Sequence, residues 1–332
     1  MKPVKISVLG NGGWGTTLAL ILLKKGFNVY LWGAFPEYVE FLKNKKENQK
    51  FLPGIPLPDH LHHTSDISEA LSESAYVVMA VPSQYMRSVV KIAKEHIERN
   101  ASVVSVAKGI EAESMKTMTQ VISDETSIAS MAVLSGPSHA EEVACGIPAS
   151  VVVASPDEIL AQKIQNIFMT DRFRVYTNQD LLGVELAGAV KNVIALAAGI
   201  SDGLGYGDNT KSALVTRGLA EMTRLGVAMG AKRETFFGLA GVGDLMTTAF
   251  SRHSRNRRIG ELIGTGLTLE DALNTTEMVA EGVRTSVAVK ELAKKHRIEM
   301  PICQKVYEVL YENLKPLQGV QELMMREAKP ES

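Results

Sequence analysis

The feature that most constrains this chain is a glycine-rich turn close to its start. Gly10-Asn11-Gly12-Gly13-Trp14-Gly15 follows an apolar run from Lys5 to Leu9 and opens helical periodicity from Trp14 to Lys25. A lone GxGxxG can be an ordinary glycine turn, but strand, loop and helix in that order point to the opening of a dinucleotide-binding βαβ unit. Gly10 permits the tight turn, Gly12 lets a pyrophosphate approach the backbone, and Gly15 brings helix and strand together. Gly13 and Trp14 complete the loop. The pyrophosphate would rest on free helix N–H groups at the positive end of the dipole.

The rest of the first half continues the alternation. Val29–Trp32, Tyr76–Val81, Ser102–Val106, Met131–Leu134, Ser150–Ala154 and Phe173–Tyr176 read as short buried strands, with helical patterns such as Gln84–Glu98 and Pro156–Phe168 between them. This predicts an α/β Rossmann-like domain with a mostly parallel, doubly wound sheet over 1–180. From about residue 180 the pattern becomes helical throughout: Leu181–Ala198, Thr210–Met229, Ser286–His296 and Gln304–Asn313. An all-α substrate-binding and catalytic domain over 181–332 is expected, packed tightly on the first without a Gly/Pro linker.

Composition narrows the function classes. A net charge of −1 over 332 residues argues against nucleic acid as a partner. Only Cys145 and Cys303 are present, far apart, which fits free thiols in a reducing, cytoplasmic setting. No run is read as reaching the ~18 apolar residues of a membrane span. His60, His62 and His63 lie in a Pro-rich stretch without acidic or Cys partners at ligand spacing, so no metal role is assigned. Near Trp32-Gly33-Ala34, where a ribose-reading acid or a phosphate-reading arginine would stand, neither occurs, which leaves both NADH and NADPH open.

Three segments put charge where packing alone would not. Lys191 interrupts an apolar, hence buried, helix; it either snorkels at an edge or is held in a site, where a desolvated lysine suits acid/base chemistry. Asp244 in Gly241-Val242-Gly243-Asp244 is either a helix cap or the partner that orients Lys191. The run Ser251–Arg258 is either a solvated face or an anion site at a helix start, with Ser254 as cap and Arg255 and Asn256 beside it. Lys108, Gly136 and Ser138 follow strands at the edge where an open α/β sheet presents ligands, though turn chemistry alone would also place them there.

Taken together, GNGGWGTTLA (10–19), AKGIE (107–111), LSGPSHAEEV (134–143), GAVKNVIALAAG (188–199), GLAGVGDL (238–245), SRNRRIG (254–260) and VAEGVRT (279–285) closely resemble the bacterial NAD(P)-dependent sn-glycerol-3-phosphate dehydrogenases. The resemblance implies NAD(P)H-dependent reduction of dihydroxyacetone phosphate, feeding phospholipid synthesis, in a cytoplasmic enzyme and possible homodimer. It implies Lys191 as proton donor and acceptor with Asp244 in the catalytic pair. Lys108, Gly136, Ser138, Asp244, Ser254, Arg255 and Asn256 would surround a small phosphorylated substrate. Trp14, Lys108, Ala140, Arg255, Val279 and Glu281 would join the glycine loop in lining the cofactor. Two positions depart from the family pattern: Ala34 stands where many members carry a basic residue, and Asn11 where Ala is common. The second is expected to be harmless in a loop. Dehydrogenases of 3-hydroxyacyl or sugar-acid substrates, and redox-sensing dinucleotide binders without turnover, are the rival readings.

Overall fold

A computed structural model describes residues 3–328 and 330–331. Eight strands form one sheet: β1 (Lys5–Leu9), β2 (Asn28–Trp32), β3 (His62–Thr64), β4 (Tyr76–Met79), β5 (Ser102–Ser105), β6 (Met131–Ser135), β7 (Ala149–Ala154) and β8 (Phe173–Asn178). Their spatial order is 3-2-1-4-5-6-7-8. β1 to β6 are parallel, with Val8 opposite both Leu31 and Val78, and β7 reverses direction against β6. The order turns around between β1 and β4, which is where open α/β sheets bind their ligands. Ile6, Val8, Val78, Val104 and Val153 are buried, as expected for strands covered on both faces.

The strand expectations are met to within a residue or two, apart from β3. His62 and His63, in the Pro-rich stretch where no strand was expected, form a short edge strand on β2. Only Thr64 of the three is buried, so the strand carries no apolar pattern to reveal it. His62 stacks on Tyr30 with ring centroids 4.5 Å apart. A small hairpin, Glu47–Asn48 with Leu52–Pro56, was also missed. The expected helix Gln84–Glu98 is shorter, a tight turn at Ser83–Tyr85 followed by Met86–Ala93.

The helices that build the site are α1 (Gly13–Lys24), α2 (Ala140–Ala144), α3 (Leu181–Gly203), α4 (Asp208–Ala228), α5 (Asp244–Phe250), α6 (Arg255–Gly264), α7 (Glu281–His296) and α8 (Pro301–Tyr311). β8 ends at Asn178 and α3 begins three residues later, capped by Asp180, whose carboxylate accepts from Gly183 N–H. Every residue of α3 from Gly183 to Ser201 is buried. Contrary to the reading that no segment reaches membrane length, α3 is long and apolar enough to span a bilayer by length and composition. Of its most apolar window 89% is inside the protein, so it serves as the core helix around which the others pack.

Small residues set how close the neighbours come. A side chain on Gly199 would collide with the Arg257 carbonyl, and one on Gly260 with the Leu196 carbonyl. Gly203 and Gly264 face each other in the same contact. Backbone therefore meets backbone where α3 crosses α6, and the start of α6 is fixed relative to Lys191. Gly188 makes room for Ser135 and for the Lys108 stem, 3.6 Å from its would-be Cβ.

Candidate active site

The glycine loop has the shape its sequence requires. Gly10 adopts φ +121°, and a Cβ there would stand 2.6 Å from the Ala80 carbonyl oxygen. A Cβ on Gly15 would strike the Gly10 carbonyl, so helix and strand could not approach as they do. Nothing lies within 4 Å of a Cβ on Gly12, whose outer face is open. Gly12 is the N-cap of α1 with no side-chain cap, leaving the first N–H groups of the helix for a ligand. Asn48 Nδ2 ties the loop down, donating to the Asn11 carbonyl at 2.9 Å and to Thr16 Oγ1 at 2.8 Å. Thr17 Oγ1 donates to the carbonyls of Gly13 (2.9 Å) and Ala140 (3.2 Å), bringing α2 beside the loop. The Trp14 ring turns toward Phe173, centroids 6.2 Å apart. An open backbone cradle at a helix start fits a dinucleotide pyrophosphate.

Across from this loop the charged residues converge. Lys191 and Asp244 are 5% and 2% exposed. Lys191 Nζ donates to Asp244 Oδ1 at 3.0 Å and to Thr248 Oγ1 at 2.6 Å, while Lys108 Nζ donates to the other carboxylate oxygen at 2.8 Å. Lys108 also donates to the Gly136 carbonyl (2.9 Å) and to Ser138 Oγ (3.1 Å). Asp244 thus bridges two ammonium groups, and the trio carries a net +1. An ammonium has three donors. Lys108 has a protein partner for each, whereas Lys191 has two partners among the described residues and one N–H left over. Burial pulls the Lys191 pKa down to about 8, with Lys108 and Arg255 adding to the effect and Asp244 opposing it. Burial alone would raise the Asp244 carboxyl; the two ammonium groups outweigh it and hold the pKa below the usual carboxylate range.

Asp244 is the first residue of α5 and caps nothing. A single wide π-type turn, Leu239–Gly243, precedes it and aims its side chain inward. Ser254 caps α6 by accepting from Arg257 N–H at 3.2 Å. The cationic run divides: Arg257 turns in to pair with Asp202, while Arg255 is exposed, without an ion pair among the described residues. Its charge still acts on both Lys191 and Glu281. Asn256 is buried; its Nδ2 donates to Asn192 Oδ1 (3.0 Å) and its Oδ1 accepts from Gly282 N–H (2.9 Å). Asn192 in turn donates to the Lys108 carbonyl at 2.9 Å. This amide chain joins the starts of α6 and α7 to the Lys108 loop. Val279 is half-buried just before α7, and Glu281 accepts from Ser83 N–H at 2.9 Å. Burial raises the Glu281 carboxyl pKa, against the Ser83 hydrogen bonds.

With this geometry in place, comparison with known proteins gives the family. Residues 5–161 match the model of the NAD-dependent glycerol-3-phosphate dehydrogenase N-terminus, and residues 180–321 that of its C-terminus. The chain belongs to the NAD-dependent glycerol-3-phosphate dehydrogenase family. It is 50% identical over 325 residues to the glycerol-3-phosphate dehydrogenase, NAD(P)+, of Pelotomaculum thermopropionicum, covering 97% of this chain and 93% of that one. The corresponding Fusobacterium nucleatum protein is 49% identical over 330 residues, covering 99% and 98%. The crystal structure of glycerol-3-phosphate dehydrogenase from Coxiella burnetii superposes with a TM-score of 0.95 at 40% identity, covering 98% of this chain and 99% of that one.

In this family member the sequence reading missed four residues that the fold brings to the site. Thr248 lies one helical turn after Asp244, a spacing that was available as a signal. Asn192, polar in the same apolar helix as Lys191, offered a similar signal, whereas Ser83 left none, because its partner Glu281 is remote in sequence. His139, between Ser138 and Ala140, has a buried Nε2 without a partner among the described residues, and its ring lies 5.8 Å from that of His253. Burial, helped by Lys191 and Lys108, holds its pKa below the ordinary histidine value.

Proposed function

We propose that this chain catalyses the reversible NAD(P)H-dependent reduction of dihydroxyacetone phosphate to sn-glycerol 3-phosphate. The observation that carries the reading is the Lys108–Asp244–Lys191 trio, with Asp244 and Lys191 buried, in which only Lys191 retains an N–H without a partner among the described residues. In the reducing direction Lys191 gives that proton to the ketone oxygen; in the oxidising direction it takes the hydroxyl proton back. The bound nicotinamide supplies or accepts the hydride. Asp244 orients Lys191 and keeps its pKa from falling further. The residual +1 charge stabilises the oxygen as negative charge develops on it, in a buried and pre-oriented site.

Around this centre, Arg255 and the backbone N–H groups at the start of α6 hold the phosphate, with Ser254 and Asn256 fixing that helix start. Lys108, with the Gly136 carbonyl and Ser138 behind it, flanks the carbonyl end of the substrate. The open face of Gly12, with Gly10, Gly13, Trp14 and Gly15, takes the pyrophosphate. Ala140, Val279 and Glu281 lie along the cofactor, and Lys108 and Arg255 reach it from the substrate side. The dinucleotide domain is taken as 1–180 and the helical substrate-binding and catalytic domain as 181–332. The same proposal places the enzyme in the cytoplasm, has it supply glycerophospholipid synthesis, and involves no nucleic acid.

The test is a nicotinamide-absorbance assay with dihydroxyacetone phosphate, run with NADH and NADPH in parallel. Oxidation of either cofactor with formation of sn-glycerol 3-phosphate is expected. Cofactor binding without turnover on any phosphorylated ketone would overturn the proposal and leave a dinucleotide sensor.

A further inference from the structure

The end of β2 lacks the side chain that ordinarily reads the adenosine ribose: Gly33 and Ala34 stand where an acid or an arginine is expected. The space is nonetheless filled. A Cβ built on Gly33 would lie 2.6 Å from Asn11 Cγ and 3.0 Å from Asn11 Oδ1, with Nδ2 closer still. The Asn11 carboxamide therefore occupies the position a residue-33 side chain would begin to fill. Its own backbone is held, because the Asn11 carbonyl accepts from Asn48 Nδ2 at 2.9 Å. The strand end is held as well: Gly33 N–H donates to the Thr64 carbonyl and Gly10 N–H to the Trp32 carbonyl, each at 3.0 Å. The carboxamide itself makes no hydrogen bond among the described residues and is only half-buried. A polar group on a held backbone, unpaired among the described residues, thus sits between the pyrophosphate loop and the end of β2. Asn11 was expected to be a harmless loop substitution, and the structure gives it a place instead.

We infer that Asn11 is the cofactor-specificity residue of this enzyme, reading the adenosine ribose in place of the missing β2 side chain. The inference rests on the dinucleotide reading proposed above. A carboxamide has one acceptor and one donor group. A ribose diol satisfies both, because each hydroxyl can donate or accept. A 2′-phosphate offers acceptors only, so Nδ2 gains a partner while Oδ1 faces negative charge. Asn11 therefore favours NADH, and it does so modestly because no full charge is involved on the protein side.

The experiment measures binding of NADH and NADPH by protein-fluorescence quenching without substrate, in wild type, Asn11→Ala and Asn11→Asp. Asn11→Ala should raise the Kd for NADH roughly tenfold, the scale of one or two hydrogen bonds, and that for NADPH less than about threefold. Asn11→Asp should restore NADH binding and widen the NADPH/NADH ratio of Kd values at least about tenfold over Asn11→Ala, because a carboxylate accepts from both hydroxyls and repels the phosphate. If both variants keep the wild-type ratio to within about twofold, Asn11 does not read the ribose, whatever the turnover. If wild type binds neither dinucleotide, the underlying reading fails and this inference with it.

Discussion

Lys191 Nζ and Asp244 Oδ1 meet at 3.0 Å across 53 residues of chain, one group from the middle of the core helix and the other from the first turn of α5. Neither charge would be stable alone at that depth. A buried ammonium without its carboxylate, or the reverse, leaves an uncompensated ion that costs about 3–5 kcal/mol. The pair is sustained by Lys108 on the far oxygen of Asp244 and by Thr248 on Lys191.

Replacing Lys191 by Met removes the proton donor while keeping an unbranched side chain in the helix. Turnover with dihydroxyacetone phosphate should fall by about 10²–10⁴, the usual share of general acid/base catalysis. NADH binding, followed by fluorescence, should survive. Near-normal turnover would take Lys191 out of the mechanism.

The Lys191 pKa near 8 gives the two directions opposite pH limbs. Reduction needs the ammonium, so its rate should fall as pH rises through about 8; oxidation needs the free amine and should rise through the same region. Asp244→Asn removes the group that holds this pKa up, so both limbs should move to lower pH. In stability the sign is set by a folded pKa lying below the ordinary 10.5: between about 8 and 10.5 the unfolded chain binds more protons, so Lys191 adds stability as pH rises through that window. Comparing denaturant midpoints of wild type and Lys191→Met across that range checks it, since the Met variant should lack this slope.

Arg255 and the substrate phosphate form a testable couple. Arg255→Ala should lower kcat/KM for dihydroxyacetone phosphate by roughly tenfold or more, the scale of a charge-assisted hydrogen bond. The already poor rate with dihydroxyacetone should change much less. The four rates close a double cycle between side chain and phosphate. Equal losses on both substrates would assign Arg255 to the cofactor or the fold.

The α3–α6 crossing makes a prediction about stability alone. Gly199→Ala pushes a methyl into the Arg257 carbonyl, and backbone cannot yield as a flexible side chain would. A loss of at least about 1–3 kcal/mol is expected, read as a lower denaturant midpoint. Because α6 would be displaced with it, KM for dihydroxyacetone phosphate should rise. An unchanged midpoint would show that the helices can separate at no cost.

Several features were legible in the residues themselves because they depend on neighbours a few positions away. GxGxxG between an apolar run and a helical period specifies the turn. Continuous Val/Ile/Leu runs specify strands covered on both faces. An apolar helix interrupted by Lys191 marks a buried charge in need of a partner, and Ser254 before a helix reads as its cap. Edge strand β3 escaped because it is three residues long, with His62 exposed and His63 only half-buried, and so shows no pattern of a covered strand. The membrane-length character of α3 was passed over, and only its burial by surrounding helices shows that it is a core element.

Tertiary structure alone decided which charges meet. Lys108, Asp244 and Lys191 lie on three elements, and no local rule fixes the distance between side chains on separate elements. That distance follows from how closely the elements pack, which here depends on Gly188, Gly199 and Gly260 having no side chains. The same holds for Asn11, whose carboxamide has its place only because Gly33, just past the end of β2, leaves the space empty. Local sequence determines which elements form and which groups they carry, since short-range sterics and burial act within a few residues. The chemistry of the site comes from long-range packing, which sets Nζ to Oδ1 at hydrogen-bonding distance in a buried region.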